Sequence, residues 1–569
     1  MADLSLTIKK HVLKNAYDYG RANPGAVAGK VIAECPDAKA DMGSTMGAIN
    51  AEISRVAMLS KEQIEGEMKG FEYAEKKKDE KRALEVPGAV SGKVVTRFPP
   101  EPSGYPHIGH AKAAYLDQEI AVQNDGKMIL RFDDTNPEKE SGEFVDAIKD
   151  GLAWLGVVYE KKVTFTSDHI PGIYRCVEGL VKKGKAYVCT CSQDRISQGR
   201  ERMLPCDCRG LPAEEVLARW KRMLDNGPGG YKEGQAVVRF IGDLQSQNTV
   251  MRDPSLARII VAPHFRQGTK YRVWPNYDLA VVFMDSNEGI THPLRTKEYE
   301  LRDELYFRLI EELGFKRPNL IEISRLQIKN APISKRLLKP LVESKKVMGW
   351  DDPRLPTLKG LARRGILPAA LKEFVLSFGL SKVESEPTWE ALFALNRKLL
   401  DPVAPHYFFV SDPMKLEVKG LEKKSVQLKK HPKQEMGHRE IIASPHLYIT
   451  RLDSANIKSG EIFRLKDLCN VKLVKKGQSL HGDLMPDDMV EKKIQWVSID
   501  GAIACEVLVP KDLLDQEGEY DVNSLESKKG FCESSCRFLD VGAVVQFERF
   551  GFCRLDKKEI DKLTFIYTC

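Results

Sequence analysis

The spacing of apolar residues changes twice along the chain of 569 residues. In roughly the first 84 residues, apolar positions such as Ile53 and Val56 recur at helical spacing. Beyond Pro402, short segments alternate apolar and polar residues with a period of two, as at Ile462 to Leu465 and Val541 to Phe547. We therefore expect a helical N-terminal region and C-terminal antiparallel β-barrels.

Between these regions, strand-like and helical segments alternate. The apolar run Val94 to Phe98 predicts a buried strand, followed by a Pro-rich turn and a helix from about Ile108, and Met128 to Phe132 predicts a second strand. This order is typical of a parallel nucleotide-binding sheet in an α/β fold. Further strands are predicted at 186–189, 236–241, 259–262 and 279–284. The number of strands indicates that an inserted domain interrupts the sheet.

The changes in pattern predict six segments. They are an N-terminal helical domain (1–90), the first half of a Rossmann-like domain (91–188), an inserted domain (189–272), the second half (273–328), a loop with a helical region (329–402) and the β-barrels (403–569).

Composition narrows the class of protein. The longest apolar stretch is far shorter than the ~20 residues that span a bilayer, and the first ten residues lack a signal-peptide pattern, so we expect a cytoplasmic protein without a membrane partner. The net charge of +7 is too small to indicate a nucleic-acid partner by itself. Twelve cysteines without a secretion signal are expected to be reduced thiols.

The segment from Arg97 to His110 is the most informative for chemistry. His107 and His110 lie three residues apart at a predicted helix start, so both side chains share one face, and Gly109 leaves room for a nucleotide to approach the backbone. Helix amides and imidazole donors suit a triphosphate. The alternative is a capped helix with incidental histidines, which the position after a strand and a Pro-rich turn disfavours.

A second segment, Ala331 to Arg336, places a lysine and an arginine on a Pro-bounded loop. Such cations can neutralise the charge that builds as pyrophosphate leaves. Alone, the sequence Ser-Lys-Arg is typical of any surface loop. The pair of segments, in this order and each after a predicted strand, is the specific feature.

Four cysteines form two C-x-C pairs separated by a short polar segment: Cys189, Cys191, Cys206 and Cys208. Four thiolates at this spacing can satisfy tetrahedral zinc. The alternative is a loop that merely tolerates cysteine. Because four protein ligands leave no open position, we expect a structural zinc site.

Taken together, these segments resemble the class I aminoacyl-tRNA synthetases. His107 to His110 matches the HIGH signature of that family, and Ile333 to Arg336 matches its KMSKS signature. The strings RFPPEPSGYPHIGHAKAA, RFDDTNPEKE, PNYDLAVVFMDSNEGITHPLRTKEYE and GWDDPRLPTLKGLARRGI resemble the glutamyl and glutaminyl branch. Within that branch, the glutamyl enzymes of the archaeal and eukaryotic type are the closer match. Near the N-terminus, HVLKNAYDYGRANPGAVAGKVI is similar to archaeal glutamyl enzymes.

The resemblance implies roles for the matching residues. The catalytic residues would be His107, His110, Lys335 and Arg336. The ATP-binding residues would be Pro100, Gly109, Arg325, Leu326, Ser334 and Lys335. Glutamate would contact Arg97, Glu101, Asp133, Tyr277 and Arg295, with Asp133 holding the ammonium group. Asp133 and Asp134 can alternatively be read as a metal pair; we favour a structural role for Asp134.

Arg295 favours glutamate over glutamine as the substrate. A guanidinium pairs bidentately with a carboxylate, whereas an amide offers it one acceptor and an unfavourable pair of donors. The glutaminyl enzymes typically carry a neutral residue at this position, which implies the same choice. The alternative is that Arg295 only binds a protein carboxylate such as Glu298.

The expected activity is therefore ATP- and Mg²⁺-dependent attachment of L-glutamate to tRNA(Glu) through a glutamyl-adenylate. Whether tRNA(Gln) is charged as well stays open, and a monomer is expected. Basic runs in the β-rich region, at 423–424, 429–431 and 472–476, are candidate RNA contacts. The alternatives are a glutaminyl-tRNA synthetase, a non-catalytic tRNA-binding paralogue and a small-molecule nucleotidyltransferase.

Overall fold

A computed structural model of the chain describes residues 4–19, 22–39, 41–59, 61–71, 73 and 84–569. The chain divides into two compact units, residues 1–83 and 84–569. No helix in the described ranges is both long enough and apolar enough to cross a membrane.

The first unit is helical, as its apolar spacing predicts. Its helices are α1 (Leu4–Tyr19), α2 (Pro24–Glu34), α3 (Met42–Val56) and α4 (Lys61–Met68). Asn23 caps α2 by accepting a hydrogen bond from the Ala26 amide, and Pro24 at the first helical position has no amide hydrogen to leave unpaired. Buried Val12, Val31 and Ile49 lie in the shared core of these helices.

The second unit begins with a parallel sheet. Its first elements are β1 (Val95–Phe98), α5 (Ile108–Gln123), β2 (Lys127–Phe132), α6 (Gly142–Leu155), β3 (Thr164–Phe165) and α7 (Ile170–Lys182). The strands lie in the order β1-β2-β3, and both pairs are parallel. Helical crossovers are what parallel neighbours require, so the predicted strand–turn–helix–strand unit and the α/β class are confirmed.

An antiparallel insert follows. Its elements are β4 (Ala186–Cys189), α8 (Gln193–Glu201), α9 (Ala213–Leu224), β5 (Val237–Phe240), β6 (Ser255–Ile259) and β7 (Val273–Pro275). The four strands form a separate sheet in the order β4-β5-β6-β7. Trp220 and Trp274 are fully buried in its core. The strand predicted at 259–262 is misplaced, because β6 ends at Ile259.

The chain then returns to the parallel layer and continues into helices. These elements are α10 (Tyr277–Asn287), β8 (Leu294–Thr296), α11 (Asp303–Leu313), β9 (Ile321–Ile323), α12 (Lys335–Glu343), α13 (Leu358–Arg364), α14 (Pro368–Leu376) and α15 (Trp389–Leu400). Strands β8 and β9 pair in parallel. Thr291 joins the segment before β8 to β1, because its amide donates to the Val95 carbonyl over 3.0 Å.

The strand predicted at 279–284 is wrong, because this segment lies inside α10. Most of α10 is buried, and a helix that is apolar on nearly every side shows a continuous apolar run instead of a helical period. Sequence spacing alone cannot distinguish that run from a buried strand.

The C-terminal region is β-rich, as its alternation predicts. Its elements are β10 (His406–Tyr407), β11 (Phe409–Ser411), β12 (Pro413–Lys419), β13 (Lys424–Lys429), β14 (His438–Ala443), β15 (His446–Thr450), α16 (Arg451–Ala455), β16 (Ile462–Leu465), β17 (Cys469–Lys476), β18 (Leu480–Met485), β19 (Lys493–Ile494), β20 (Val497–Ser498), β21 (Ile503–Pro510), β22 (Leu525–Cys532), β23 (Val544–Phe547), β24 (Gly551–Lys558) and β25 (Lys562–Tyr567). They form two curled, mostly antiparallel seven-stranded sheets and the hairpin β13-β14.

Candidate active site

A cavity of about 540 Å³ lies where β1 and β2 end. Open parallel sheets place ligands outside the carboxyl ends of their strands. Glu101, Asp133 and Tyr277, three of the five predicted glutamate-binding residues, line this cavity. The fold therefore brings together residues that are up to 176 positions apart in the sequence, from Glu101 to Tyr277.

A buried carboxylate, Asp285 on α10, connects Arg97, a predicted substrate residue, to Arg131. Arg97 donates from Nε to Asp285 Oδ1 over 3.1 Å, and Arg131 donates from Nη1 to the same oxygen over 3.0 Å. Burial alone would raise the pKa of Asp285, but the charges of the two arginines lower it to about 2. Arg97 also donates to the Leu294 carbonyl, so its guanidinium is already engaged by protein atoms.

Asp133 is held at the cavity wall by two donors. Arg131 donates from Nε to Asp133 Oδ1 over 2.8 Å, and Thr166 donates from Oγ1 to the same atom over 2.8 Å. The sequence interpretation missed Asp285, Arg131 and Thr166. Of these three, only Arg131 could have been predicted from the sequence, because it lies near the end of a predicted strand and two residues before Asp133.

Asp134 makes contacts typical of a structural residue. It is fully buried and accepts hydrogen bonds from the Ser167 amide at 2.8 Å and the Ser167 hydroxyl at 2.7 Å. The His264 imidazole lies 3.6 Å from Asp134 Oδ2. Burial raises the pKa of Asp134 to about 7, against the effect of the Ser167 hydrogen bonds.

Arg295, on β8, is buried, and two of its three guanidinium nitrogens have no hydrogen-bond partner. Neither Nε nor Nη2 has a partner, while Nη1 lies 3.5 Å from Asp303 Oδ1. The guanidinium carbon lies 5.6 Å from the centre of the Tyr277 ring, which lines the cavity, and 3.8 Å from that of Tyr306. An unpaired, buried guanidinium edge is costly unless an anion fills it.

Glu298, the alternative partner for Arg295, lies elsewhere. It accepts a hydrogen bond from Arg325 Nη1 over 3.0 Å. Glu298 is therefore not the partner of Arg295, but another protein carboxylate, that of Asp303, does lie 3.5 Å from its Nη1 atom.

His107 and His110 both cap α5. His107 Nδ1 accepts from the Gly109 amide over 3.1 Å, and His110 Nδ1 accepts from the His107 amide over 3.2 Å. Burial lowers the pKa of His110 to about 4 and the pKa of His107 well below its usual value, so both rings are neutral near pH 7. A neutral ring that accepts at Nδ1 carries its proton at Nε2, which leaves one donor on each ring.

Gly109 is required by packing against its neighbour. A Cβ atom at this position would lie 2.9 Å from Cε1 of His107, so the space left by glycine is filled by that imidazole. On its other side the turn is tied to the segment before α13. The Ile108 amide donates to the Pro356 carbonyl, and the Leu358 amide donates to the Pro106 carbonyl, both over 2.9 Å.

The Ser-Lys-Arg segment lies at the N-terminus of α12. Ser334 precedes the helix, Ile333 is buried beneath it and Arg336 is exposed. The side chain of Lys335 lies outside the part that the structure describes. In the described part, no hydrogen bond or ion pair joins Ser334 or Arg336 to either histidine.

The remaining predicted ATP residues make separate contacts. Arg325 is close enough to His107 for its charge to contribute to the low pKa of that ring. Leu326 is buried, and its backbone forms an isolated β-bridge with that of Ser385. The Pro100 carbonyl accepts from the Asp133 amide over 3.2 Å, which ties the Pro-rich turn to the end of β2.

The four predicted metal ligands come together in the insert. Their Sγ atoms all lie within 4.8 Å of one another, and Cys189 Sγ is 3.8 Å from Cys206 Sγ. Tetrahedral zinc with Zn–S bonds of about 2.3 Å separates its sulfur ligands by about 3.8 Å, so this donor set fits zinc. Arg219 donates to Cys208 Sγ over 3.4 Å, a contact that favours the thiolate.

A second cavity, of about 810 Å³, lies beside these cysteines. It shares Arg200, Ser255, Arg258 and Asn276 with the first cavity, so the two spaces adjoin along the insert. Two arginines, Arg200 and Arg258, therefore lie at the junction of the two cavities.

Comparison with family models identifies the second unit. Residues 93–402 match the catalytic domain of tRNA synthetases class I (E and Q). Residues 404–485 and 493–556 match two models of the anticodon-binding domain of the same enzymes.

Curated relatives match along the whole chain. A protein named glutamate–tRNA ligase from Cenarchaeum symbiosum is 40% identical over 99% of this chain and 100% of its own. Proteins of the same name from Nitrosopumilus maritimus and Pyrococcus furiosus are 42% and 38% identical, over 97% and 98% of this chain and equal shares of their own. With its catalytic and anticodon-binding regions both matched, the chain belongs to the class I tRNA synthetases of the E and Q group.

Proposed function

We propose that this protein is a glutamate–tRNA ligase, which uses ATP to attach L-glutamate to the 3′ end of tRNA(Glu). The observation that carries the proposal is the match to curated relatives of that name over 97–99% of the chain at 40–42% identity. The unpaired edge of Arg295 supports glutamate independently, because it is shaped for a carboxylate.

In the proposed complex, glutamate occupies the 540 Å³ cavity. Asp133 binds the ammonium group, and the Tyr277 hydroxyl and Glu101 line the remaining wall. The Nε and Nη2 groups of Arg295 receive the side-chain carboxylate. Arg97 contributes mainly through Asp285, since its Nε and Nη1 atoms already have protein partners.

The first reaction is activation of the amino acid. The α-carboxylate of glutamate attacks the α-phosphorus of ATP, a bond to phosphorus forms, and pyrophosphate leaves. The Nε2–H groups of His107 and His110 stabilise the charge that develops on the phosphates, together with Lys335 and Arg336. Pro100, Gly109, Arg325, Leu326 and Ser334 surround the nucleotide. A bound Mg²⁺ ion supplies further charge neutralisation on the phosphate oxygens.

The second reaction transfers glutamate to RNA. A ribose hydroxyl of the terminal adenosine, the 2′ one, attacks the carbonyl of glutamyl-adenylate and releases AMP. The adjoining cavity, with Arg200 and Arg258 at its junction, is the proposed path of the tRNA end. Exposed lysines on β13 and β17, in the regions that match anticodon-binding domains, are the proposed contacts for the anticodon arm.

The insert is proposed to hold structural zinc at Cys189, Cys191, Cys206 and Cys208. We expect one zinc ion per chain by elemental analysis, and none in Cys208→Ser, whose insert should also unfold at lower temperature. Cys176→Ser, a cysteine outside the cluster, is the control and should retain the metal. Full zinc content in Cys208→Ser would contradict the assignment.

Several finer features are part of the same proposal. The domain boundaries stay proposals, with residues 189–272 as the acceptor-binding insert, extended at its ends to include the whole of β4 and β7. The enzyme is proposed to act as a cytoplasmic monomer. Charging of tRNA(Gln) is an outcome of the test below.

Aminoacylation tests the proposal directly. Labelled glutamate and glutamine are each offered with purified tRNA(Glu) and tRNA(Gln). Transfer of glutamate to tRNA(Glu) is expected; transfer to both tRNAs would show that a further enzyme must amidate one product. Transfer of glutamine would support the glutaminyl alternative and contradict the role of Arg295. Tight tRNA binding without charging would support the non-catalytic paralogue.

A further inference from the structure

Four buried polar atoms without hydrogen-bond partners lie in one cluster behind the candidate glutamate site. They are Nε and Nη2 of Arg295, Oδ1 of Asp303 and Oε1 of Glu322. Most buried polar groups in folded proteins are paired, so such a cluster requires an explanation. Arg295 lies on β8, Asp303 begins α11 and Glu322 lies on β9, so three elements contribute to it.

Two neighbouring carboxyl groups, those of Asp303 and Glu322, lie between two cations in this cluster. Arg295 Nη1 lies 3.5 Å from Asp303 Oδ1, and Asp303 faces the carboxyl group of Glu322. Glu322 in turn forms an ion pair with Lys382, whose Nζ also lies 3.0 Å from Glu300 Oε1. Burial and the neighbouring charge of Glu322 raise the pKa of Asp303 to about 6.

The guanidinium of Arg295 is fixed on two sides. Tyr306 packs under it, with the guanidinium carbon 3.8 Å from the ring centre, and the Tyr306 hydroxyl donates to Asp285 Oδ2 over 2.9 Å. Asp303 attracts the Nη1 side. Nε–H and Nη2–H form the other edge of the planar group, the edge that binds a carboxylate bidentately.

We propose that Asp303 is a positioning residue for substrate selection: it holds Arg295 by Nη1 so that the Nε and Nη2 edge stays open for the side-chain carboxylate of glutamate. The Glu322 carboxyl group lies on the other side of Asp303 and is itself paired with Lys382. The inference rests on the proposed function and deepens it, because it assigns the selection of glutamate to a residue that does not itself contact substrate.

Fixing the Arg295 guanidinium affects the choice between glutamate and glutamine. A guanidinium free to rotate can turn its edge away from the site, and the bound carboxylate then loses one of two hydrogen bonds. Glutamine gains little from a fixed edge, since its amide nitrogen carries hydrogens that oppose the Nε and Nη2 donors. Loss of Asp303 should therefore weaken glutamate binding more than any other step.

The test is steady-state aminoacylation by Asp303→Asn, with KM measured for glutamate, ATP and tRNA. We expect the KM for glutamate to rise roughly tenfold, with kcat and the other two KM values within about twofold. Glu311→Gln, the same carboxyl-to-amide change on the exposed face of α11, is the matched control and should behave as the unchanged protein. Asp303→Glu should retain most of the glutamate affinity because it keeps the charge.

A double-mutant cycle separates positioning from a general effect on the fold. In an Arg295→Gln background, Asp303→Asn should cause no further loss in kcat/KM for glutamate, because the residue through which it acts is gone. Equal losses in both backgrounds, an unchanged KM for glutamate, or parallel changes in all three KM values would overturn the proposal. If Asp303→Asn does not fold, Asp303→Ser provides the same test at a helix start that tolerates serine.

The experiment also distinguishes failure of the positioning role of Asp303 from failure of the proposed function. If the unchanged protein charges tRNA with glutamate and Asp303→Asn keeps the same KM, only the positioning role fails. If the unchanged protein charges no tRNA with glutamate, the proposed function itself fails.

Discussion

The two histidines at the start of α5 each use one ring nitrogen to cap the helix, and the other nitrogen is the donor in the proposed contact with phosphate. Their Nδ1 atoms accept backbone hydrogen bonds, which leaves a single Nε2–H donor on each neutral ring. The two histidines therefore do cap the helix, as the alternative interpretation has it. Capping does not prevent the same rings from donating to phosphate. Capping selects the tautomer that can donate.

His110→Asn separates the two uses of this side chain. The asparagine oxygen can replace Nδ1 as the backbone acceptor, but it cannot place a donor where Nε2 lies. We expect kcat for aminoacylation to fall about 100-fold or more, with tRNA affinity nearly unchanged. His110→Ala should show the same loss and should also unfold more readily, by roughly 1 kcal/mol, because the cap is lost. Equal loss of charging and tRNA binding would contradict the assignment.

The low pKa of His110 also predicts a pH dependence of stability. Since burial lowers the pKa to about 4, the unfolded chain takes up this proton near pH 6.5 while the folded chain does not. The free energy of unfolding should therefore decrease as pH falls from 6.5 toward 4. Relative to His110→Asn, the unchanged protein should lose on the order of 2 kcal/mol between pH 8 and pH 5 in urea titrations. Parallel curves for the two proteins would show that the folded protein does not hold the His110 ring neutral.

At the scale of elements, close helix packing places the histidine turn. On α6, a Cβ atom at Gly151 would lie 2.8 Å from Cδ1 of Leu358 and 3.1 Å from Cγ of Pro106. Pro106 precedes the turn and Leu358 begins α13, so α6 contacts both segments that pair around Ile108. Glycine at this one helical position lets the three elements approach.

Gly151→Ala should therefore destabilise the protein by roughly 1–3 kcal/mol and reduce kcat, because the added methyl group displaces Pro106 and with it His107. Gly179→Ala, on α7, is the matched control: no atom lies within 4 Å of its added Cβ. That change should be neutral or stabilising by up to about 1 kcal/mol, since alanine favours helix. Thermal unfolding and kcat of both variants provide the comparison, and equal stability in the two would show that the contact at Gly151 relaxes freely.

At the scale of the whole second unit, the C-terminal sheet supports the catalytic region. The loop between β21 and β22 carries Leu513, which is buried with Leu338 of α12 and with Leu355. Arg354 donates from Nη1 to Ser524 Oγ over 2.9 Å in the same loop. The helix that follows Ser334 is thus packed against a region that matches anticodon-binding domains.

Leu513→Ala should remove this support. We expect a loss of about 2–4 kcal/mol in the free energy of unfolding of the contact region and a lower kcat at unchanged KM for glutamate, because α12 moves rather than the amino-acid cavity. Leu452→Ala, an exposed leucine on α16, should stay within about 0.5 kcal/mol of the unchanged protein. A higher KM for glutamate with normal kcat would show that the substitution disturbs the glutamate cavity and not α12, which would contradict the prediction.

Local signals in the sequence determined the order of elements and the identity of many candidate residues. The strand, Pro-rich turn and helix start around His107 are set by neighbours along the chain, as is the alternation in β16, and the structure has them where the pattern predicts. The two C-x-C pairs likewise indicate a metal site, and their sulfur atoms lie within 4.8 Å of one another.

Only the tertiary structure decided which residues act together. The apolar run at 279–284 lies inside the buried helix α10. Because most of that helix is buried, its apolar residues show no helical period in the sequence. The tertiary structure made Asp285 the shared partner of Arg97 and Arg131, 188 and 154 residues away in the chain. It also left one edge of Arg295 open while Asp303 faces the other. Hydrogen bonds and desolvation depend on positions in space, and spacing along the sequence does not encode them.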